Sequence, residues 1–542
     1  MKKKTIHPQN AHAMHKSTIN HACQSFLLQE SVCYANKKKQ AMHMSTHTPA
    51  KSAIMKETHI SSSSTPKSTL VMAGIAATLA AAIITSCSDD IAYTTDPSAS
   101  ISLKQDTLRF DTMFTGITSV TERFCVYNNN SKHVRVKSVR LESGGTSGFM
   151  INVDGQWGTD IQNISIGDKD STFIFVKARL EARQELEPRL ATDNVVFTLE
   201  NGNTCKMRLE AHGQDCQTWE AKTLDADKTI TTSELPIVVY DSLVVPQGKT
   251  LTIEPGATIY FHNGASLIIR GNLTAKGTAE KPVTLRGDRL DRIFTYLPYD
   301  RLNNQWGGVR VEPTCEKLEI DHADIHSSTI GISCRSMAEP LAITNSVIHN
   351  IASNALYLED CRATLANCQL SNAKGDCLHI TGGATNVYHC TLAQFYPWSA
   401  DRGHALTLHT TIDEAAHPIT EANFYNCLIT GYDKDEVYCY KGENEDVNIN
   451  FYNCVALTDV KDEKYFHSCT ADSKNEERYQ STNFKTFDTH AYIYDFRLDS
   501  LSTARGKGSA DYAKDYPADR YGTARGDAPD AGCYQYVEPQ KQ

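Results

Sequence analysis

The sequence predicts an all-β chain, a parallel β-helix solenoid preceded by a small β-sandwich, and three observations carry that prediction. First, a pattern of apolar residue, spacer, Asn or His, small residue, spacer and aliphatic residue returns six times. It begins as Ile320-Asp321-His322-Ala323-Asp324-Ile325 and recurs around Asn345, Asn367, His389, Asn426 and Asn453, in steps of 23, 22, 22, 37 and 27 residues. A period in the low twenties, stretched by insertions, is that of a solenoid whose units bury their apolar faces against one another. Second, the apolar positions are two and three apart, in short runs crowded by β-branched and aromatic residues, which excludes helices as the unit. Third, residues 98–216 break into short alternating runs separated by turn residues, as in Val195 to Leu199 before Asn201-Gly202, the pattern of a sandwich with hairpins.

At about 3.3 Å per residue, a coil of this length has a contour of roughly 70 Å, enough for three short strands and their turns. The marker Asn then sits at a sharp corner, because a left-handed residue breaks the alternation of two and Asn tolerates that region best after Gly. Stacked Asn side chains can also bond from coil to coil. The small column Ala323, Ser346, Cys368, Cys390, Cys427 and Cys454 points inward. These corners and inward stacks resemble the right-handed parallel β-helix (pectin-lyase-like) superfamily. The resemblance covers the C-terminal three-fifths of the chain and implies a right-handed coil; one fold of this kind hosts many activities.

At the N-terminus, residues 1–86 hold ten Lys and only Glu30 and Glu57, a net of +8; the formal charge of the whole chain is −10, so the remainder carries −18. An acidic body without a basic tract argues against nucleic acid as a partner. Residues 1–54 lack periodicity and read as a disordered leader or a mis-assigned start. Residues 55–86 read as a signal peptide with the apolar run Leu70 to Ile84 as its core, too short for a comfortable transmembrane helix. The run ends in Ile84-Thr85-Ser86-Cys87, which resembles the lipobox of bacterial lipoproteins, and Ser88-Asp89-Asp90 resembles the acidic start of surface lipoproteins of the Bacteroidetes group. The resemblance implies lipidation at Cys87, residues 87–97 as an anchored linker, and an address in the outer membrane, with its outer face open.

Residues 98–216 contain Asp111-Thr112-Met113-Phe114, Val126-Tyr127-Asn128 and the closing His212-Gly213-Gln214-Asp215. These resemble the immunoglobulin-like modules that precede β-helices in such lipoproteins. Residues 217–538 form the solenoid, and Tyr521-Gly522, Arg525 and Pro529 to Tyr536 resemble the terminal cap that covers the last coil of bacterial β-helix proteins. Beyond Cys87 there are fourteen Cys. Four occupy the inward column and read as core thiols, whereas Cys125, Cys205, Cys216 and Cys533 admit no pairing from sequence. No His and Cys spacing is compact enough for a zinc site, so no metal is expected; Ca²⁺, which lyases of this fold use, lacks an Asp cluster here.

Two segments leave the coil pattern. Residues 286–304 are charged and Tyr-rich and lead into Trp306; residues 394–421 contain Tyr396, Trp398, Asp401, Arg402 and His404. Insertions in a solenoid collect at functional faces, and rings beside carboxylates and Arg suit a sugar-binding cleft. Ligand-binding candidates are therefore Trp306, Tyr396, Trp398 and Arg402, although Tyr396 and Trp398 could equally cover the side of the solenoid. On the coil, Tyr357, His379 and Thr407 occupy corresponding outward positions. His379 with Asp376 is a possible acid/base pair, and with Asp401 and His404 completes the catalytic candidates. The recognised arrangement of a lyase is absent. The expectation is thus a surface or periplasm-facing lipoprotein that binds or presents to extracellular polysaccharide without cleaving it; a polysaccharide lyase or glycoside hydrolase, and a protein-binding adhesin or structural surface protein, are the alternatives. Insertions gathered on one face would favour the first two readings over the third.

Overall fold

The computed structural model describes residues 91–337, 339–413, 415–442, 447–458, 462–472 and 483–539. The expected leader, the expected signal-peptide core and Cys87 lie outside the described residues. Strands make up the regular structure of the described residues, apart from a 3-10 turn at Tyr299–Arg301 and a short helix at Ala510–Ala513.

Between Ser102 and Gln214 two sheets face each other. One runs in the order Ser102–Leu103, Glu122–Tyr127, Ser171–Ala178, Phe149–Val153, Gln156–Gly158. The other runs Thr107–Arg109, Thr204–Gln214, Arg189–Leu199, Val134–Leu141, Asp160–Ile166, with Met113–Phe114 also on Thr204–Gln214. Alternation sends Phe124, Val126, Ile174 and Val176 from the first sheet against Val136, Val139, Phe197 and Leu209 from the second, in one apolar core. The Asn201-Gly202 turn joins the two longest strands, with Gly202 at a φ of 89°, where a side chain would be strained.

From Gln217 onward the chain winds through three parallel sheets. One coil shows the unit: Leu341–Thr344 lies in the first sheet, Val347–Ile351 in the second and Leu356–Glu359 in the third. The next coil places Arg362–Ala366, Gln369–Ala373 and Leu378–Thr381 in register beside them. The first sheet reaches from Lys228–Ile230 to Phe466–His467 in ten strands. Its inward column runs Ile320, Ile343, Leu365, Val387, Phe424, Phe451, and the last two rings stack at 4.7 Å. Such same-residue stacking is the direct result of a parallel register about 4.8 Å apart.

All six marker residues are left-handed: His322, Asn345, Asn367, His389, Asn426 and Asn453 have φ between 47° and 54°. Their side chains bond along the stack as expected, with Asn367 Nδ2 donating to Asn345 Oδ1 at 3.0 Å. A seventh corner lies at Ser468, φ 55°, where Ser replaces the Asn or His that marks the others. The inward column also serves the backbone. Ser346 Oγ accepts from Ala323 N at 2.9 Å, Cys390 Sγ from Cys368 N at 3.4 Å, and Cys454 Sγ from Cys427 N at 3.3 Å. Each small polar atom thus satisfies an amide of the preceding coil, which an apolar residue could not do. All fourteen described Cys are free thiols.

The described part of the C-terminal segment, from Asn483 onward, packs beside the coils. It runs back along the flank between the first and second sheets. Ser509 N donates to Asn426 Oδ1, Arg525 to Asn367 Oδ1, Cys533 N to Thr391 Oγ1, and Arg520 to the Asn345 carbonyl. The reason is apolar surface. Ala393, Leu428 and Val455 form a core with Phe484, Phe496, Ala531 and Tyr534 of the tail.

Candidate functional site

The third sheet presents the richest outward face. In register, Ser333, Tyr357, His379, Thr407 and Tyr438 form one outward row, and Arg335, Glu359, Thr381, His409 and Tyr440 form a second. The expected correspondence of Tyr357, His379 and Thr407 therefore holds. Parallel coils place Tyr357 above His379 and His409 above Tyr440, and diagonal and same-strand neighbours complete a string of rings along the sheet. Tyr357 and His379 centroids lie 5.1 Å apart, His379 and His409 5.1 Å, His409 and Tyr440 4.3 Å, and Tyr440 and Tyr438 4.2 Å. His404 stacks on Tyr438 at 4.9 Å.

Hydrogen bonds fix this row. His379 Nδ1 lies 2.7 Å from Asp376 Oδ2, and Asp376 Oδ1 accepts from His404 N at 2.8 Å. Burial opposes charge on Asp376, but His379 and the His404 amide outweigh it and hold the carboxyl below its usual range. Tyr357 donates to Glu359 Oε2 at 2.7 Å. Burial, reinforced by Glu359, pushes the Tyr357 hydroxyl up to about 12. His409 is shifted down by burial and by His379, so the row tends to keep its imidazole neutral there. Just ahead of the strand Val437–Tyr440, Glu436 is fully buried and accepts from Ala405 N and Asp433 N.

Asp376, His379 and His404 thus converge, whereas Asp401 stands exposed on its loop, its own N–H turned back to Ser399 Oγ. The ligand-binding expectations fare differently. Trp306 is 0 % exposed, stacked on Phe261 at 4.3 Å and bonded through Nε1 to the His326 carbonyl; it is a core residue with no face for a ligand. Tyr396 is buried too, bonded to the Asn303 amide. Trp398 remains 36 % exposed but packs on Tyr492 at 4.1 Å. Arg402 lies over the Tyr432 ring, donates to the Ser399 carbonyl and has the Asp433 carboxylate 4.0 Å away, so its charge is engaged within the protein.

Residues 286–304 leave the second sheet after Val283–Gly287 and return to the third at Gly308–Val311. Residues 395–405 do the same between Thr391–Gln394 and Leu406–His409. Both insertions therefore emerge at one corner, and the Asn303 to Tyr396 bond joins them. The segment 394–421 proves to be two excursions, since Leu406–His409 is a strand of the third sheet and a small hairpin, Thr411–Ile412 with Ala415–Ala416, follows it. The third-sheet face is bordered on both edges.

A second polar cluster lies on the second sheet and was missed by sequence reasoning. Asp324, His326 and His349 bring three possible metal-ligating atoms within 4.8 Å of one another. Burial opposes charge on both Asp324 and His326; their mutual attraction overcomes it, holding the Asp324 carboxyl well below its usual range and lifting His326 to about 9. The signal was present in the repeat: the 23-residue step that carries His322 to Asn345 also carries His326 to His349.

No protein-family model and no curated protein matches the chain. Among solved structures, a PapD-like domain of a human protein aligns at 12 % identity over 23 % of this chain and 92 % of its own length, with a TM-score of 0.16. A family 123 glycoside hydrolase from Clostridium perfringens aligns at 10 % identity over 22 % of this chain and 26 % of its own, TM-score 0.16. A tip adhesin from Pseudomonas aeruginosa aligns at 13 % over 21 % of this chain and 41 % of its own, TM-score 0.17. Scores at that level carry no argument about activity.

Proposed function

We propose that this chain is a lipid-anchored outer-membrane protein in which an immunoglobulin-like sandwich carries a right-handed parallel β-helix, and that it holds extracellular polysaccharide along the outward face of the third sheet without cleaving it. The observation that carries the reading is the string of rings Tyr357, His379, His409 and Tyr440 on four successive coils, crossing from one outward row to the other, with Tyr438 beside Tyr440 on the last strand, and with insertions bordering it. Successive flat faces at coil spacing suit successive pyranose rings, and the interleaved Glu359, Asp376 and Thr407 offer hydrogen bonds to hydroxyls. Insertions at one corner favour a glycan face over an adhesin with a smooth sheet.

The carboxylates on this face argue for binding over hydrolysis. Asp376 is engaged by His379 and the His404 amide, and Glu359 by Tyr357 and Arg335. A glycosidase needs two carboxyl groups free to exchange protons or attack across a bond. The test is retention on immobilised neutral and acidic polysaccharides, with ultraviolet absorbance followed for unsaturated uronates. Tyr438→Ala and Tyr440→Ala, at positions 38 % and 46 % exposed, are expected to weaken retention at least tenfold with no change in melting temperature and no product. Absorbance that disappears in His379→Ala would make the protein a lyase, and retention indifferent to both Tyr variants would remove the third sheet from the reading. The anchor has its own test: Cys87→Ser should release the protein from the membrane fraction.

A further inference from the structure

The cluster on the second sheet is not used by glycan binding and stands apart from that reading. Asp324 and His326 lie two apart on the strand Ala323–His326, and His349 pairs with His326 in register one coil on. His326 Nδ1 is 2.9 Å and His349 Nε2 3.1 Å from the same oxygen, Asp324 Oδ1, with the two rings stacked at 4.9 Å. A tetrahedral Zn²⁺ with bonds of 2.0–2.1 Å holds neighbouring ligand atoms about 3.3 Å apart, so the two imidazole-to-carboxylate separations need to change by only a few tenths of an ångström, while the two ring nitrogens, within 4.8 Å of each other, must approach by up to about 1.5 Å.

The surroundings are those of a metal centre rather than of a chance ion pair. On the far side of His326, Asp300 Oδ1 lies 3.8 Å from Nε2, and Asp300 is itself paired with Arg286. At that separation, beyond hydrogen-bond reach, the Asp300 carboxylate acts on the imidazole through its charge, and a carboxylate behind a ligating imidazole raises its basicity. Asp324 and His349 also line a cavity of about 470 Å³, together with Gln369, Ser371, Asn372 and Arg520. Asn372 is 3 % exposed and its Oδ1 is buried without a partner. Three protein ligands, two of them on the wall of a polar cavity, leave a coordination position open, which is the arrangement of reactive rather than structural sites. Two imidazoles exclude Ca²⁺ and Mg²⁺, which take oxygen.

We propose that Asp324, His326 and His349 bind one divalent first-row transition-metal ion of the Zn²⁺ type, with its open position turned to the cavity lined by Asn372 and Arg520.

The test uses the full chain, stripped with a chelator and titrated with Co²⁺, whose visible bands report coordination, followed by Zn²⁺ competition. The parent should bind one more equivalent than His349→Ala, with micromolar or tighter affinity. The His-rich first 54 residues contribute equally to both chains and cancel. Asp300→Asn should weaken that equivalent 10–100-fold, and His379→Ala, on the third sheet, should leave it intact. Because His349 is partly exposed, His349→Ala is expected to fold, and an unchanged far-ultraviolet spectrum checks this. Equal stoichiometry in the parent and His349→Ala overturns the proposal, as does loss of the equivalent in His379→Ala. Loss of the equivalent with glycan retention intact separates this centre from the third-sheet face.

Discussion

At the corner, Asn367 has three duties. It holds a φ of 54°, it donates to Asn345 Oδ1 and the Ala518 carbonyl, and it accepts from Arg525. Leu would be strained in the left-handed region by about 1–2 kcal/mol and would leave the buried Arg525 short of an acceptor, at about 1–3 kcal/mol. Asn367→Leu should therefore destabilise by about 3 kcal/mol, whereas Asp401→Asn on an exposed loop should stay within about 0.5 kcal/mol; equal melting shifts would remove the corner assignment. Glu436 yields a pH dependence. Burial pushes its carboxyl up from 4.5 to about 8. Between those values the unfolded chain has released the proton that the folded chain keeps. Rising pH thus favours unfolding by up to about 1.4 kcal/mol per unit from this group, an effect absent below 4.5 and complete above 8. Urea midpoints at pH 5 and pH 8 should fall for the parent and change less in Glu436→Gln, whose baseline is lower because its amide meets the Ala405 or Asp433 N–H. Parallel pH slopes in the two proteins would assign the dependence elsewhere.

At the scale of strands, the repeat was legible because backbone geometry imposes it on the sequence. A left-handed corner every coil selects Asn or His, and parallel register stacks like on like, so marker, inward column and outward row could all be read before the fold. The same logic placed Tyr357, His379 and Thr407 together and would have placed His326 beside His349 had the step been applied to every His. Insertions were not legible in this way. A loop's composition shows rings and charges but not which surface they cover, and Trp306, Tyr396 and Arg402 are turned inward or onto their own loop by packing that no period records. The tail illustrates a related limit: its Asp, Arg and Gly residues suit a capping turn, whereas the apolar outward residues Ala393, Leu428 and Val455 that draw its described part to the flank belong to other elements. Trp306 supplies a check. Trp306→Ala should cost about 4 kcal/mol by opening a cavity beside Phe261 and leave polysaccharide retention per folded molecule unchanged; weaker retention by fully folded protein would restore it as a ligand residue.

For the whole molecule, a solenoid has only nearest-neighbour coupling, so its coils can open locally unless something spans them. The C-terminal segment does so, through Arg520 at the Asn345 coil, Arg525 at Asn367, Cys533 at Thr391 and Ser509 at Asn426. Arg525 is the buried link in this strap: it bonds Asn367 Oδ1 and the carbonyls of Asp530 and Gly532. Burial without a full complement of charge lowers its pKa, a sign that the fold tolerates a costly group for its geometry. Removing it in Arg525→Ala leaves those acceptors unpaired and detaches the strap at its middle. Hydrogen exchange followed by mass spectrometry should then show faster exchange in the coils from Leu341 to Gly431, while Thr250–Ile253, Ser266–Ile269 and the two-sheet region keep the protection of the parent. Faster exchange across the entire chain would mean that the coils are coupled through the core itself, and that the tail covers the flank without holding the stack together.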